Sequence, residues 1–359
     1  MSKSFSILIP TYNEHDNIAL LLERIAGAIT GNDYEVVFVD DDSRDGTPEL
    51  IKALSSKYPA RVVVRKDKKG LASAVVDGFG MVSFDTVVVM DADLQHPPEV
   101  IPALIEAIRA GADIAVASRY VPGGGTAGWS KTRQLISNGA IMLAHILLPQ
   151  SRKVKDPMSG FFAFKKSVIS GVTLAPIGYK VLLEMLVMGT AGKVAEVPFM
   201  FQPREKGKSK LDVKQEIEYL KHIFSLMQRS GELVRFLKFC LVGGSGVLVN
   251  EGLLWLLTDK VGLFFMLSSA IAIETSIITN FVLNHWFTFA DLKGNGVKSY
   301  LTKLGQFNLV SLVAVGINLG LLWLFKTEFG VYYLIANLIG IAVSMLWNYI
   351  ANNLWTWKR

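Results

Sequence analysis

Along the first 120 residues, short β-branched runs alternate with stretches whose apolar positions recur every three or four residues. Positions 6–9, 34–39, 61–65, 86–90 and 113–117 read as strands. Positions 17–29, 71–82 and 98–109 read as helices, and Thr47-Pro48 reads as a helix start with Thr as N-cap and Pro in the first turn. Strands joined by intervening helices predict an α/β domain with a parallel sheet and helices on both faces. The pattern then changes. Apolar stretches at 239–257, 263–283, 307–325 and 331–347 each approach the length that spans a bilayer as a helix, with only Glu251 and Glu274 charged inside them.

The last two stretches repeat the first two. NEGLLWL at 250–256 returns as NLGLLWL at 318–324, and NFVLNHWFTF at 280–289 returns as NYIANNLWTW at 348–357, both offset by 68 positions. A constant offset over two blocks marks a duplicated helix pair, and because a pair of spans preserves orientation the repeats are parallel. Glu251 and Glu274 have no acidic counterpart in the second repeat, where Leu319 and Ala342 stand. Acids inside membrane helices are functional candidates, or protonated packing groups bonded to Asn250 or Asn280.

Charge follows the same division. Of 68 charged residues in this 359-residue chain, 12 lie in the last 121 positions. Basic residues precede the first span (Lys221, Arg229, Arg235, Lys238), fill the central loop (Lys293, Lys298, Lys303) and end the chain (Lys358, Arg359). The other two loops hold Lys260 beside Asp259 and Lys326 beside Glu328. The positive-inside rule therefore predicts a multi-pass membrane protein with both termini and the polar half in the cytosol. The same residues account for the net charge of +6 without a nucleic-acid surface. Ile217, Leu220, Phe224 and Met227 share one helical face between Lys214 and Arg229, which suits a helix lying on a membrane or one packed on the polar domain. Trp286, Trp355 and Trp357 read as interfacial anchors. The single Cys240 excludes an internal disulfide, the five histidines show no metal-ligand spacing, and the N-terminal apolar run is too short for a signal peptide.

In a sheet of this kind ligands bind beyond the carboxyl ends of the strands. Three such ends are polar: Pro10-Thr11-Tyr12-Asn13-Glu14, Asp40-Asp41-Asp42-Ser43 and Asp91-Ala92-Asp93-Leu94-Gln95. Crowded carboxylates repel one another unless a cation or donor groups compensate, so a divalent metal is expected. In extended backbone Asp91, Asp93 and Gln95 point to one side and offer hard oxygen donors suited to Mg²⁺ or Mn²⁺. Neither a P-loop GxxxxGK[ST] nor a GxGxxG follows the first strand.

PTYNE at 10–14, VDDDSRDGT at 39–47 and DADLQHPPE at 91–99 resemble the signatures of glycosyltransferase family 2 with the GT-A fold. More narrowly, DADLQHPPE, SRY at 118–120, DPMSGFFAFKK at 156–166 and KSKL at 208–211 resemble the dolichol-phosphate mannose synthases, in the archaeal and bacterial form that carries four membrane helices. The membrane half resembles a GtrA-like domain. The resemblance implies a Rossmann-like GT-A domain over 1–212, an amphipathic juxtamembrane segment over 213–235 and an all-α transmembrane domain of two tandem helix pairs over 236–359. It implies that Pro10, Tyr12, Glu14, Val39 and Asp41, with Asp91 and Ala92, hold the nucleoside, and that Asp93 and Gln95 bind the metal on the diphosphate. Arg119, Lys180, Arg204 and Lys210 match basic positions that meet donor or acceptor phosphates, with Asp93 and Arg119 the residues closest to the chemistry. The implied reaction is inverting transfer of mannose from GDP-mannose to a polyprenyl or dolichyl phosphate at the cytosolic face of a prokaryotic membrane. An ionised lipid phosphate needs no general base. The alternatives are a UDP-glucose or UDP-amino-sugar donor, and a lipid-sugar flippase or scaffold with a spent transferase domain. The QxxRW motif of processive synthases is absent.

Overall fold

A computed structural model describes residues 4–29, 31, 33–66, 70–203 and 213–358. Its contacts divide the chain into two units, 1–230 and 231–359.

The first unit alternates as the sequence predicts: β1 (Phe5–Thr11), α1 (His15–Ala28), β2 (Tyr34–Asp40), α2 (Thr47–Leu54), β3 (Ala60–Val64), α3 (Leu71–Phe79), β4 (Thr86–Val89), α4 (Ile101–Arg109) and β5 (Ile114–Ser118). Gly46, in left-handed backbone, occupies the N-cap of α2, so Thr47 is its first helical residue and not the cap. After β5 come β6 (Gly125–Thr126), α5 (Lys131–Leu147), β7 (Phe162–Lys165), α6 (Val181–Met188), β8 (Val194–Pro198), β9 (Met200–Phe201) and α7 (Val213–Arg229).

The main sheet has seven strands in the order β3-β2-β1-β4-β7-β5-β8. It is mostly parallel rather than wholly so, because β7 enters between β4 and β5 antiparallel to both, with Val88 and Ala115 each opposite Ala163. β1, β2, β4 and β5 still point the same way, so the loops that follow them gather on one edge. One face buries Ile7, Ile9, Val36, Phe38 and Ala163 against α1, α2 and α4. The other buries Leu8, Val37, Val39, Phe162 and Phe164 against α3 and α6. Each central strand is thus apolar on both sides, which is why these runs show no alternation.

The second unit is two helical hairpins, α8 (Glu232–Trp255) with α9 (Phe265–Leu283) and α10 (Val297–Thr327) with α11 (Tyr333–Ala351). With their terminal turns the four helices run 29, 24, 31 and 24 residues, long and apolar enough to cross a membrane. The 68-residue repeat is a repeat of structure. π-helical turns occupy Asn284–Thr288 and Asn352–Thr356. Ser276 Oγ donates to the Gly246 carbonyl at 2.7 Å, and Ser344 Oγ to the Ala314 carbonyl at 2.8 Å. Equivalent residues meet at the centre: Phe239 with Phe307, Phe281 with Tyr349 and Phe289 with Trp357 form one buried cluster. Phe289 and Trp357 stack with ring centroids 4.4 Å apart and planes 8° from parallel. Trp357 is therefore a core residue and not an interfacial anchor, whereas Trp286 and Trp355 are exposed. Gly246 permits the close approach of α9, since a Cβ there would lie 2.2 Å from Asn280 Nδ2. Glu251 and Glu274 lie on the protein surface instead of being enclosed by it. Glu251 accepts from Asn250 at 3.2 Å, and Glu274 accepts across the two hairpins from Asn308 at 2.7 Å rather than from Asn280.

Candidate active site

Each of the three polar strand-end loops contains one non-glycine residue in left-handed backbone: Asn13 (φ 57°), Asp42 (φ 60°) and Leu94 (φ 63°). Asn and Asp tolerate this region, but for a buried Leu it costs about 1–3 kcal/mol, offset by the bonds that hold the loop. The first two loops are laced together. Asn13 N–H donates to Ser43 Oγ (2.8 Å), Arg44 N–H to Asn13 Oδ1 (3.1 Å), and the Thr11 and Ser43 hydroxyls to Asp40 (2.9 and 2.7 Å). Asp41 is met by the Arg65 guanidinium (Nε at 2.8 Å) and by the Gly70 N–H (2.7 Å), and Arg65 also reaches Asp77 at 2.9 Å. Asp40 and Asp41 are thus compensated by protein groups, so their crowding does not by itself point to a metal at this strand end.

The third loop differs. β4 ends at Val89, and residues 91–96 form a tight bend, not the extended backbone from which their common direction was expected. Asp91, Asp93 and Gln95 nonetheless all line a single cleft of about 700 Å³. Gln95 N–H donates to Asp93 Oδ1 at 3.2 Å, and Gln95 Nε2 donates to the Gln202 carbonyl at 3.0 Å, which turns Oε1 the other way. Among the described residues no three His, Cys, Asp or Glu side chains converge as a metal cage. Two carboxylates and one amide oxygen form an incomplete set of hard donors, which fits Mg²⁺ or Mn²⁺ sharing its remaining positions with water and phosphate oxygens. His96 is fully enclosed beneath this loop. Its Nδ1 accepts the Asp91 N–H at 3.0 Å, its ring packs on Phe161, Phe199 and Phe201, and burial pulls its pKa down to about 4, so the imidazole is a neutral support. Gly160 lies so close that a Cβ there would sit 3.3 Å from His96 Cε1 and 3.5 Å from Asp91 Oδ2.

The same cleft is also lined by basic residues. Arg119, just beyond β5, is buried with Asp156: Nε–Oδ2 is 2.8 Å, Nη2–Oδ1 is 2.7 Å, and the Arg119 N–H adds a third bond at 3.1 Å. Burial works against the guanidinium charge, but Asp156 outweighs it and raises the Arg119 pKa. Glu196 in turn accepts the Lys155 and Asp156 N–H groups. Lys180 lies 4.0 Å from the centre of the Tyr179 ring and donates to the Met158 carbonyl at 3.3 Å. Lost hydration, then the charge of Arg119, pull its pKa down to about 7. Arg133 on α5 stacks 4.2 Å over Trp129, which also faces Arg119.

The fold therefore brings Asp91, Asp93, Gln95, Arg119 and Lys180 into one cleft. Pro10, Tyr12, Glu14, Val39, Asp41 and Ala92 stand at the same sheet edge but do not line it; Pro10 and Val39 are register partners. Arg204 and Lys210 lie outside the described residues. Asp156, Trp129, Arg133 and Tyr219 are additions, and only Asp156 fell inside a motif recognised in the sequence.

Two helices close the cleft, and both are apolar on a second, exposed face. α7 turns Glu216 and Tyr219 to the cleft, buries His222, Ile223 and Leu226, and leaves Ile217, Leu220 and Phe224 about half exposed. α5 exposes Leu135, Ile136 and Met142. Of the stripe read in the sequence, Ile217, Leu220 and Phe224 form an outer surface, whereas Met227 is buried with the second stripe that packs on the unit. A buried clasp fixes α7. Glu184 of α6 accepts from Arg229 Nη1 (2.5 Å), the Ala175 N–H (2.7 Å) and His222 Nε2 (3.2 Å).

The comparisons agree with this division. The model of glycosyl transferase family 2 matches residues 6–172, and that of the GtrA/DPMS transmembrane domain matches residues 238–357. Dolichol-phosphate mannosyltransferase of Pyrococcus furiosus is 50% identical over 352 residues, 98% of this chain and 99% of that protein. The protein of the same name from Saccharomyces cerevisiae is 36% identical over 255 residues, 67% of this chain and 94% of that one. Among solved structures, glucosyl-3-phosphoglycerate synthase from Mycobacterium tuberculosis, in complex with Mn²⁺, UDP and glucosyl-3-phosphoglycerate, aligns with a TM-score of 0.49 at 22% identity over 64% of this chain and 80% of that one. With a relative matched end to end at this identity and both units matched by their own models, the chain belongs to the dolichol-phosphate mannosyltransferases, glycosyltransferases of family 2 joined to a GtrA/DPMS transmembrane domain.

Proposed function

We propose that the chain transfers mannose from GDP-mannose to a polyprenyl phosphate at the cytosolic membrane surface, by a metal-dependent, inverting displacement. One observation carries the reading: a single cleft is lined both by the oxygen donors of Asp91, Asp93 and Gln95 and by the basic side chains of Arg119, Arg133 and Lys180, on a unit whose α5 and α7 expose apolar faces. Mg²⁺ or Mn²⁺ held by Asp93 and Gln95, with Asp91 beside them, would neutralise the charge that develops on the departing diphosphate. Pro10, Tyr12, Glu14, Val39, Asp41 and Ala92, at the strand ends next to Asp91, are the proposed nucleoside cradle, with Arg65 holding Asp41 in place.

Arg119 is pre-positioned by Asp156, so it meets an anionic oxygen without reorganising. Arg133 and Lys180 face the same space and suit the acceptor phosphate. A lipid phosphate is ionised near neutral pH and can attack the anomeric carbon directly, which agrees with a cleft whose histidine is buried and engaged. The half-exposed Ile217, Leu220 and Phe224, with Leu135 and Met142, suit contact with the bilayer from which the acceptor is drawn.

The test is direct. Purified protein is given GDP-mannose, UDP-glucose or a UDP-amino sugar, each labelled in the sugar, with polyprenyl phosphate and Mn²⁺. Labelled lipid should form from GDP-mannose and should disappear with chelator. Label passing only from a UDP-sugar would overturn the donor, and turnover indifferent to chelator would overturn the metal.

A further inference from the structure

The second unit carries its own concavity, of about 530 Å³, at the end of the α10–α11 hairpin where the chain is basic. Lys298, Lys303 and Lys358 line it together with Thr302, Gln306 and Trp355, and none of the residues lining it is acidic. Lys303 is held in place by a 2.6 Å bond from Nζ to the Leu292 carbonyl. Trp355 is about half exposed, as an aromatic at a membrane boundary is.

The internal repeat supplies the control. Sixty-eight positions earlier, Lys303 corresponds to Arg235, Gln306 to Lys238 and Trp355 to Phe287. There acids stand beside the cations: Arg235 pairs with Asp291 at 2.9 Å and Glu232 at 3.8 Å, and Lys238 lies 4.6 Å over the Phe287 ring. In the second repeat Glu232 is replaced by Tyr300 and Asp291 by Arg359. The same frame has thus lost both of its acids, exchanged Lys238 for Gln306 and gained Lys298 and Lys358 in the places of Ser230 and Ala290, while keeping the aromatic at its rim. Concentrated positive charge in an open recess at the membrane boundary favours an anion there.

We propose that this concavity binds the phosphate headgroup of a membrane lipid, with the lipid chain lying along the apolar outer faces of α10 and α11. Three ammonium groups complement a phosphate monoester or diester, and Thr302 and Gln306 add neutral hydrogen-bonding groups. The inference rests on the second unit being the membrane unit and not on the reading of the catalytic cleft.

Full-length protein in phosphatidylcholine nanodiscs is irradiated with one of two photoreactive probes carrying a diazirine near the headgroup: polyprenyl phosphate or phosphatidylglycerol. Inorganic phosphate is the competitor in a third arm. Adducts should map to residues 295–306 or 355–358 with at least one lipid probe, and the more efficient probe identifies the source. In the Lys298→Gln/Lys303→Gln/Lys358→Gln variant the apparent affinity at these peptides should fall on the order of a hundredfold, about fivefold per lysine. Lys326→Gln, at the other end of the hairpin, should change nothing. Adducts that persist in the triple variant, or that millimolar inorganic phosphate abolishes, would overturn the proposal. Adducts in the first unit report on the catalytic cleft separately, so their loss with these peptides still labelled would count against the proposed function alone.

Discussion

Truncating Glu184 should loosen α7 and, through it, the acceptor side of the cleft. Glu184 and His222 have no exposed side-chain surface, and Arg229 is about one quarter exposed. Burial alone would raise the Glu184 pKa, but hydrogen bonds from His222, the Ala175 N–H and Arg229 together hold it below the usual carboxylate range. Glu184→Ala leaves an arginine, an imidazole N–H and a backbone N–H without their acceptor. Removing one member of a buried ion pair costs about 3–5 kcal/mol, which at about 2–4 °C per kcal/mol for a domain of this size is a fall in melting temperature of roughly 6–20 °C. Glu184→Gln keeps the shape and one acceptor but loses the charge, and should cost roughly 1.5–3 kcal/mol. The pH dependence has a definite sign. Because the folded carboxyl has a lowered pKa, its contribution is complete above the unfolded value of about 4.3 and is lost as pH falls through the folded one. The wild type's advantage over Glu184→Gln should therefore be full at pH 7 and shrink below about pH 4. Tyr219, whose hydroxyl donates to the Ala140 carbonyl at 2.6 Å, rides on the same helix, so KM for the lipid acceptor should rise more than KM for the sugar nucleotide. Thermal unfolding and acceptor titrations on detergent-solubilised protein measure both. A Glu184→Ala melting point within about 2 °C of wild type, or equal effects on the two KM values, would refute the reasoning.

Asp93→Ala and Gln95→Ala should abolish most transfer while leaving yield and melting temperature near wild type, because both line the cleft; activity that survives in either and ignores chelator would remove them from the metal. Lys180, with its pKa pulled down to about 7, is charged below neutrality and mostly neutral above it, so affinity for the phosphate ligand it meets should fall about tenfold between pH 6 and pH 8. Lys180→Arg should flatten that profile in titrations with GDP and with a short prenyl phosphate, since arginine stays charged; a wild-type profile equal to that of the variant for both ligands would refute it. A cysteine at Asn295, in the basic central loop, should resist an impermeant reagent added outside intact cells, and labelling there would reverse the proposed orientation.

Strands 1 to 5 were legible because β-branched runs bounded by polar turns have few other uses, but β7 was not. Its first three residues divide their side chains between the two cores, Phe162 and Phe164 on one and Ala163 on the other, so no alternation of apolar and polar positions marks it. α6 hides for a related reason, since Val181 to Val187 are all buried, Glu184 included, and a short segment buried on every side has no period to read. The loop after β4 was readable as a site although its geometry was not: the left-handed Leu94, not extended backbone, puts Asp91, Asp93 and Gln95 on the cleft. Arg119 could be singled out from its motif, but not Asp156 as its partner or Trp129 as the ring that faces it. Those contacts depend on where β7 enters the sheet and on the short β6–β9 pair, and neither has a local signal.

The membrane unit shows the converse, a symmetry legible in sequence whose departures become meaningful only in three dimensions. Duplication first creates equivalent faces, and equivalent residues then pack on one another at the join, as Phe289 and Trp357 do. Substitution at that join is expensive, so the aromatic cluster stays paired across the repeats. Away from it each copy is free to diverge. One copy keeps the Arg235–Asp291 pair and the other has Lys303 with Arg359 in the position of the acid. Likewise Glu274 meets Asn308 across the hairpins, where the symmetry-related positions are Ala342 and Cys240. A unit that only anchored the chain would gain nothing from breaking its symmetry at polar positions, since each unmatched charge near lipid carries a desolvation cost. The asymmetry is therefore the part of the membrane unit to examine for ligands, and at the cationic end of the second hairpin no acidic side chain stands among the described residues that line the recess.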